Sequence, residues 1–199
     1  MVGKLKIDML YKPELGTEEQ LWGDFTLTYC EDNNYEELHH TNTQLDKFIK
    51  WYVMSSPHIF SDLSIPLLDN KGYAEGIDKY LDELEGEFTS QIYNRLTMFN
   101  NINNAFGHPG EPDIYLVRRG EFGEISSFQG RKTHLQPIPR FKIGTWVYLF
   151  DLQDFVYQVR NTIFDFLDEV QVIEAGKDSK YIEVIVAMAS TLNVLPKID

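Results

Sequence analysis

Near the start of the chain, Leu5, Ile7, Met9 and Tyr11 alternate with Lys4, Lys6 and Asp8, and further on Phe25, Leu27 and Tyr29 alternate with Thr26 and Thr28. A period of two puts the apolar side chains on one face of an extended chain, so the pattern predicts two half-buried strands that pair with each other. Pro13 to Gln20, with Gly16 among several acids, reads as the connection between them. Asp32-Asn33-Asn34 reads as a turn after the second strand.

The period then changes. Thr41 and Gln44 have capping-box spacing, and Leu45, Phe48, Ile49, Tyr52 and Val53 follow at helical intervals. This predicts a helix from about Asn42 to Met54, ended by Ser55-Ser56-Pro57. Pro57 to Gly72 has no sustained period and reads as irregular. From Ile77, the positions Tyr80, Leu81, Leu84, Phe88, Ile92, Leu96, Phe99 and Ile102 step by three or four, predicting the longest helix of the chain. Asp78, Asp82, Glu83, Glu85 and Glu87 fall mostly on its other face, and Gly86 weakens its middle. The prolines and glycines of 107–112 stop any helix and mark the one place where the chain could subdivide.

Ile114 to Val117 and Glu124 to Phe128 flank a glycine-containing loop, Arg119 to Gly123, which predicts an antiparallel hairpin. Ile143 to Phe150 suits a largely buried strand. Asp151 can cap a helix carrying Phe155, Val156, Val159, Ile163, Phe166, Leu167 and Val170 at core spacing. Tyr181 to Leu195 fits a helix capped by Ser179, while Tyr181 to Val186 also suits a strand; the length favours the helix. Without repeats or a clear linker, residues 1–199 read as a single α+β domain, antiparallel strand pairs packed with several long amphipathic helices.

Composition narrows the function classes. With 43% hydrophobic residues and a length of 199, the chain can bury a core unaided. Cys30 is the only cysteine, so no intrachain disulfide forms, and the first residues lack the apolar stretch of a secretory signal; the expected compartment is the cytoplasm. The longest apolar run, Val184 to Ala189, is far too short to span a bilayer. A formal net charge of -13 repels nucleic acid and anionic lipid and favours basic partners or simply solubility, the commoner reading of such a charge. Residues 118–142 depart from this, with six basic and two acidic side chains. Arg118, Arg119, Arg131, Lys132, Arg140 and Lys142 there lie near Phe122, Phe128 and Phe141, and pairing with the acidic helices explains them better than a nucleic-acid surface.

Candidate chemistry is sparse. Glu36-Glu37-Leu38-His39-His40 is the densest group of metal-ligand residue types, but adjacent side chains point apart, and His58, His108 and His134 are scattered, so no metal site is assigned. Cys30 ends a predicted strand with no histidine placed beside it and reads as a small buried side chain. Gly120-Glu121-Phe122-Gly123 sits within a hairpin and opens no helix, so its glycines read as turn residues, and no cofactor is expected. No catalytic residue is assigned.

The segment Pro112 to Ser126, Pro-Asp-Ile-Tyr-Leu-Val-Arg-Arg-Gly-Glu-Phe-Gly-Glu-Ile-Ser, resembles a hairpin of small bacterial proteins associated with defence or toxin immunity, over under a tenth of the chain. As an acidic α+β protein without catalytic signatures, the chain also resembles the immunity proteins that neutralise toxins of interbacterial competition. That resemblance implies an acidic face that captures a basic toxin. Two surfaces suit it: the helix acids Asp78, Asp82, Glu83, Glu85 and Glu87, and an acidic loop containing Glu31, Asp32, Tyr35, Glu36 and Glu37. The alternatives are a structural or regulatory subunit, in which an apolar face of the 77–102 helix or the C-terminal segment completes a homo-oligomer, and an enzyme using Cys30, His39, His40 or His108.

Overall fold

The alternation at the start of the chain becomes a three-stranded antiparallel sheet. In this computed structural model, which describes residues 2–16, 19–61, 72–83, 97–106, 113–128, 142, 144–175 and 179–194, β1 (Lys4–Tyr11) pairs with β2 (Trp22–Glu31) and β2 with β3 (Asn34–Gln44). Leu5, Ile7, Phe25, Leu27 and Tyr29 face the core, while Lys4, Lys6 and Asp8 face solvent. The turn at Asp32 and Asn33 has φ of 48° and 66°, the left-handed pair that a two-residue hairpin needs and that Asp and Asn tolerate.

β3 corrects two expectations. The supposed acidic loop is a strand, and Thr41 to Gln44 belong to it, with Thr41 opposite Phe25 and Gln44 opposite Trp22, so they cap nothing. The register slips between Leu27 and Thr28, where Leu38 is the extra residue of a bulge. The bulge lets Leu38 and His39 both be buried, although strict alternation would turn one of them to solvent.

Helix α1 (Leu45–Ile59) follows directly, and Pro57 does not end it. Proline there removes the N–H that Val53 would accept from, and the Ser56 hydroxyl donates to the Val53 carbonyl instead, at 3.3 Å. Helix α2 (Tyr73–Glu83) begins before Ile77. Residues 84–96 lie outside the described residues, and at Asn101 the backbone is extended and bridges Tyr115, so the predicted helix does not run on to Ile102. Residues 107–112 also lie outside the described residues.

A second antiparallel sheet contains β4 (Ile114–Arg119), β5 (Phe122–Ser127) and β6 (Trp146–Asp151), in that order. The predicted loop of the first hairpin shrinks to a turn at Gly120 and Glu121, with Gly120 at φ +62°. Gly123 is required for packing, since a Cβ there would lie 2.1 Å from the Phe150 ring that crosses it. Among the described elements the longest helix is α3 (Leu152–Ile173), capped as expected by Asp151, whose Oδ1 accepts from Asp154 N at 2.9 Å. Helix α4 (Lys180–Ala189) settles the ambiguous segment, with Ser179 as its cap.

The two sheets share one core, in which Leu5, Ile7, Leu27 and Leu38 join Ile114, Leu116, Ile125 and Phe150. Gly3 stitches them together, donating to Leu149 O at 2.9 Å and accepting from Asp151 N at 3.0 Å. The free edge of β1 is occupied by α3, where Gln158 Oε1 accepts from Ile7 N and Gln158 Nε2 donates to Ile7 O. The fold is therefore α+β. Among the described residues, Ile182, Ile185 and Ala189 of α4 enter the shared core, and Tyr73, Ala74 and Ile77 of α2 pack on Tyr115 and Val117. No described helix is long and apolar enough to cross a membrane.

Candidate protein-binding surface

The β2–β3 hairpin extends its acids beyond the sheet's packed region. Asp32, Asn33, Asn34, Tyr35, Glu36 and Glu37 are all exposed, with Glu31 half-buried beside them. Tyr35 is 65% exposed, and its ring lies 5.7 Å from Lys6 Nζ on the outer face of the sheet. Glu36 points the other way, because it stands opposite Tyr29 on the core-facing side.

There the core runs out into a polar cluster. Lys142 Nζ donates to Glu36 Oε1 at 2.5 Å, Tyr148 OH donates to Glu36 Oε2 at 2.6 Å, and Lys142 also reaches the Tyr148 hydroxyl. The ammonium lies 4.6 Å from the centre of the Tyr148 ring, which in turn packs 4.3 Å from the Tyr29 ring. The Lys142 backbone is held independently, its N–H donating to Leu38 O at 3.2 Å and its carbonyl accepting from Trp146 Nε1 at 3.0 Å. Hydrogen bonds from Lys142 and Tyr148 hold the Glu36 carboxyl below its ordinary range. Burial and the bond to Glu36 push the Tyr148 phenol up. Burial alone would depress the Lys142 ammonium, but its bonds to Glu36 and Tyr148 outweigh that and raise it.

The same three groups meet a second time, inside the molecule. Asp46, in the first turn of α1, accepts from Leu21 N at 3.1 Å, from Lys50 Nζ at 3.1 Å and from the Tyr181 hydroxyl, while Lys50 Nζ also donates to Tyr181 OH at 2.8 Å. This cluster ties α1, α4 and the entry to β2 together.

The helix acids are set on the other sheet. The N-terminus of α2 docks on β5, where the fully buried Glu124 carboxylate accepts from Tyr73 N at 2.5 Å and from Arg119 Nη1 at 2.7 Å, and Ser126 Oγ accepts from Ala74 N at 3.1 Å. Two strand side chains thus satisfy N–H groups that a helix start leaves open. Asp78 is exposed on α2, and Asp82 and Glu83 lie in its last turn; Glu85 and Glu87 lie outside the described residues.

The remaining chemistry-bearing residues do not converge. His39 is buried, its ring 5.9 Å from Phe25 and stacked at 5.6 Å on Phe106, whereas His40 faces outward with Nδ1 2.9 Å from Thr26 Oγ1. Cys30 is half-buried on the outer face, opposite Tyr35, which corrects its assignment to the core. It is four strand residues from the Thr26–His40 pair, about 13 Å at the rise of a strand. His58 stacks on Phe99 at 3.9 Å, and His108 and His134 lie outside the described residues. Among the described residues no group of three His, Cys, Asp or Glu could hold a metal ion. Arg119 and Lys142 are paired internally, but with the strand carboxylates Glu124 and Glu36 rather than with the acidic helices; Arg131, Lys132 and Arg140 lie outside the described residues.

No family model matches this chain, and neither the curated proteins nor the solved structures contain a match.

Proposed function

We propose that this chain is an acidic protein-binding module that engages a basic partner protein through the tip of the β2–β3 hairpin. The observation that carries the reading is the joint exposure of Asp32, Tyr35, Glu36 and Glu37 on a tight two-residue hairpin. A net charge of -13 steers a basic partner toward such a surface, and an exposed tyrosine on a stiff support supplies contact area at small entropic cost. An immunity protein that neutralises a basic toxin is the specific form of this reading. Asp78, exposed on α2, is a second acidic position open to such a partner.

The test is retention of basic proteins by the tagged chain at low and high salt, beside a variant carrying Asp32→Asn, Tyr35→Ala and Glu37→Lys. A basic protein held by the native chain, released by salt and not held by the variant is the expected result. A partner retained equally by the variant would move the contact away from the hairpin.

A further inference from the structure

Glu36 and the Tyr148 hydroxyl make a seat for a primary ammonium, a carboxylate to neutralise it and a phenol oxygen to accept from it, with the Tyr148 ring packed on Tyr29 behind them. Lys142 occupies that seat. We infer that the seat is a lysine-recognition subsite, that Lys142 fills it in the absence of a partner, and that a lysine of the basic partner displaces it. This inference rests on the proposed function and specifies its anchor.

Three observations carry it. First, the occupant defines the ligand chemistry, since Lys142 meets the seat with its charge opposite the Glu36 carboxylate and its donors shared between Glu36 and the Tyr148 hydroxyl. Second, the seat opens to solvent: Glu36 is 46% and Lys142 25% exposed at the side chain, so exchange does not open the core. Third, the Lys142 backbone is held by bonds to Leu38 and Trp146 that do not involve its head group, so exchange requires only a change of side-chain rotamer. Asp32 and Glu37 are exposed on the same hairpin and raise the local concentration of cations.

An internal occupant weakens the external one by the fraction of time it holds the seat. A half-exposed pair is modest in strength, so removing Lys142 should raise affinity for a lysine ligand by about three- to five-fold. The probe is a short polylysine peptide, titrated at low salt into the full chain and into Lys142→Ala and Lys142→Gln, the second keeping much of the side-chain stem. Lys47→Ala, an exposed charge on α1, controls for the altered net charge. Circular dichroism and thermal unfolding identify any variant that has lost its fold.

The expected result is a gain for both Lys142 variants over Lys47→Ala that disappears in the Glu36→Gln background and shrinks with Tyr148→Phe. Salt-sensitive binding in which the Lys142 variants match Lys47→Ala, or a gain that survives Glu36→Gln, overturns the inference and leaves the hairpin reading standing. No binding of the peptide by any folded variant at low salt would remove both.

Discussion

The two carboxylate–lysine–tyrosine clusters have the same chemistry and opposite settings. Around Asp46, whose side chain is 4% exposed, Oδ1 accepts from Leu21 N and Oδ2 from Lys50 and Tyr181, so the carboxylate joins the entry to β2 and α4 to α1. Around Glu36, 46% exposed, the partners are a lysine and a tyrosine that water can replace. Burial makes the difference: the buried carboxylate would leave unsatisfied donors behind, whereas the exposed one leaves groups that solvent can take over. One cluster is a lock within the fold, the other a contact open to exchange.

The comparison is sharpest when each carboxylate is removed. Asp46→Ala strands Leu21 N and the Tyr181 hydroxyl and should lower unfolding stability by about 3 kcal/mol, read from denaturant midpoints. A loss below about 1 kcal/mol would mean that the two settings are not energetically distinct. Glu124→Ala tests a second buried carboxylate of the locking kind. It should cost about 2 kcal/mol and reduce hydrogen-exchange protection in the first turn of α2 more than in β1 and β2. Glu36→Gln should cost less than about 1 kcal/mol, because its partners remain hydrated.

The pH dependence of Glu36→Gln separates the clusters further. The Glu36 carboxyl is held below its ordinary value of 4.5, so its contribution is present above that pH and is lost as pH falls through the lowered folded value. Native and Glu36→Gln proteins should therefore differ slightly in stability at neutral pH and converge in acid. On the alkaline side the raised Lys50, Tyr181, Lys142 and Tyr148 give both clusters stability that is complete below the ordinary values of 10.5 and 10.0 and fades above them. A difference between native and Glu36→Gln that persists unchanged into strong acid would contradict the assignment.

Much of the architecture is legible in periodicity. The β1–β2 pair, the second hairpin and α3 with its Asp151 cap follow from local pattern and capping chemistry, while α4 with its Ser179 cap is one of two readings the pattern allows and is favoured by length. β3 does not, because its core-facing positions include His39 and Thr43 and its bulge breaks the alternation at Leu38. Thr41 and Gln44 match a capping box by spacing while serving as strand residues, an override of local signal by pairing with β2. The run on past Pro57 was hidden as well, since the Ser56 hydroxyl that compensates for the missing donor is a tertiary detail.

The candidate surface was legible only in part. Asp32, Tyr35 and Glu36 stand out as an acidic, aromatic stretch, but Lys142 and Tyr148 lie 106 and 112 residues from Glu36. Tyr181 is 135 residues from Asp46. No local spacing announces such pairings. The Glu36 pairings arise because Gly3 joins the two sheets and brings β6 beside the end of β2, and the Asp46–Tyr181 pairing because α4 packs on α1.

The most direct test measures association rate and fold stability together for Asp32→Asn with Glu37→Lys, changes that keep a residue tolerant of the left-handed turn at position 32, using the polylysine peptide at low salt. The account predicts association at least about ten-fold slower with an unchanged unfolding midpoint, the signature of a steering surface built on a fold that does not need it. Unchanged rates, or a slowing matched by loss of stability, would contradict it.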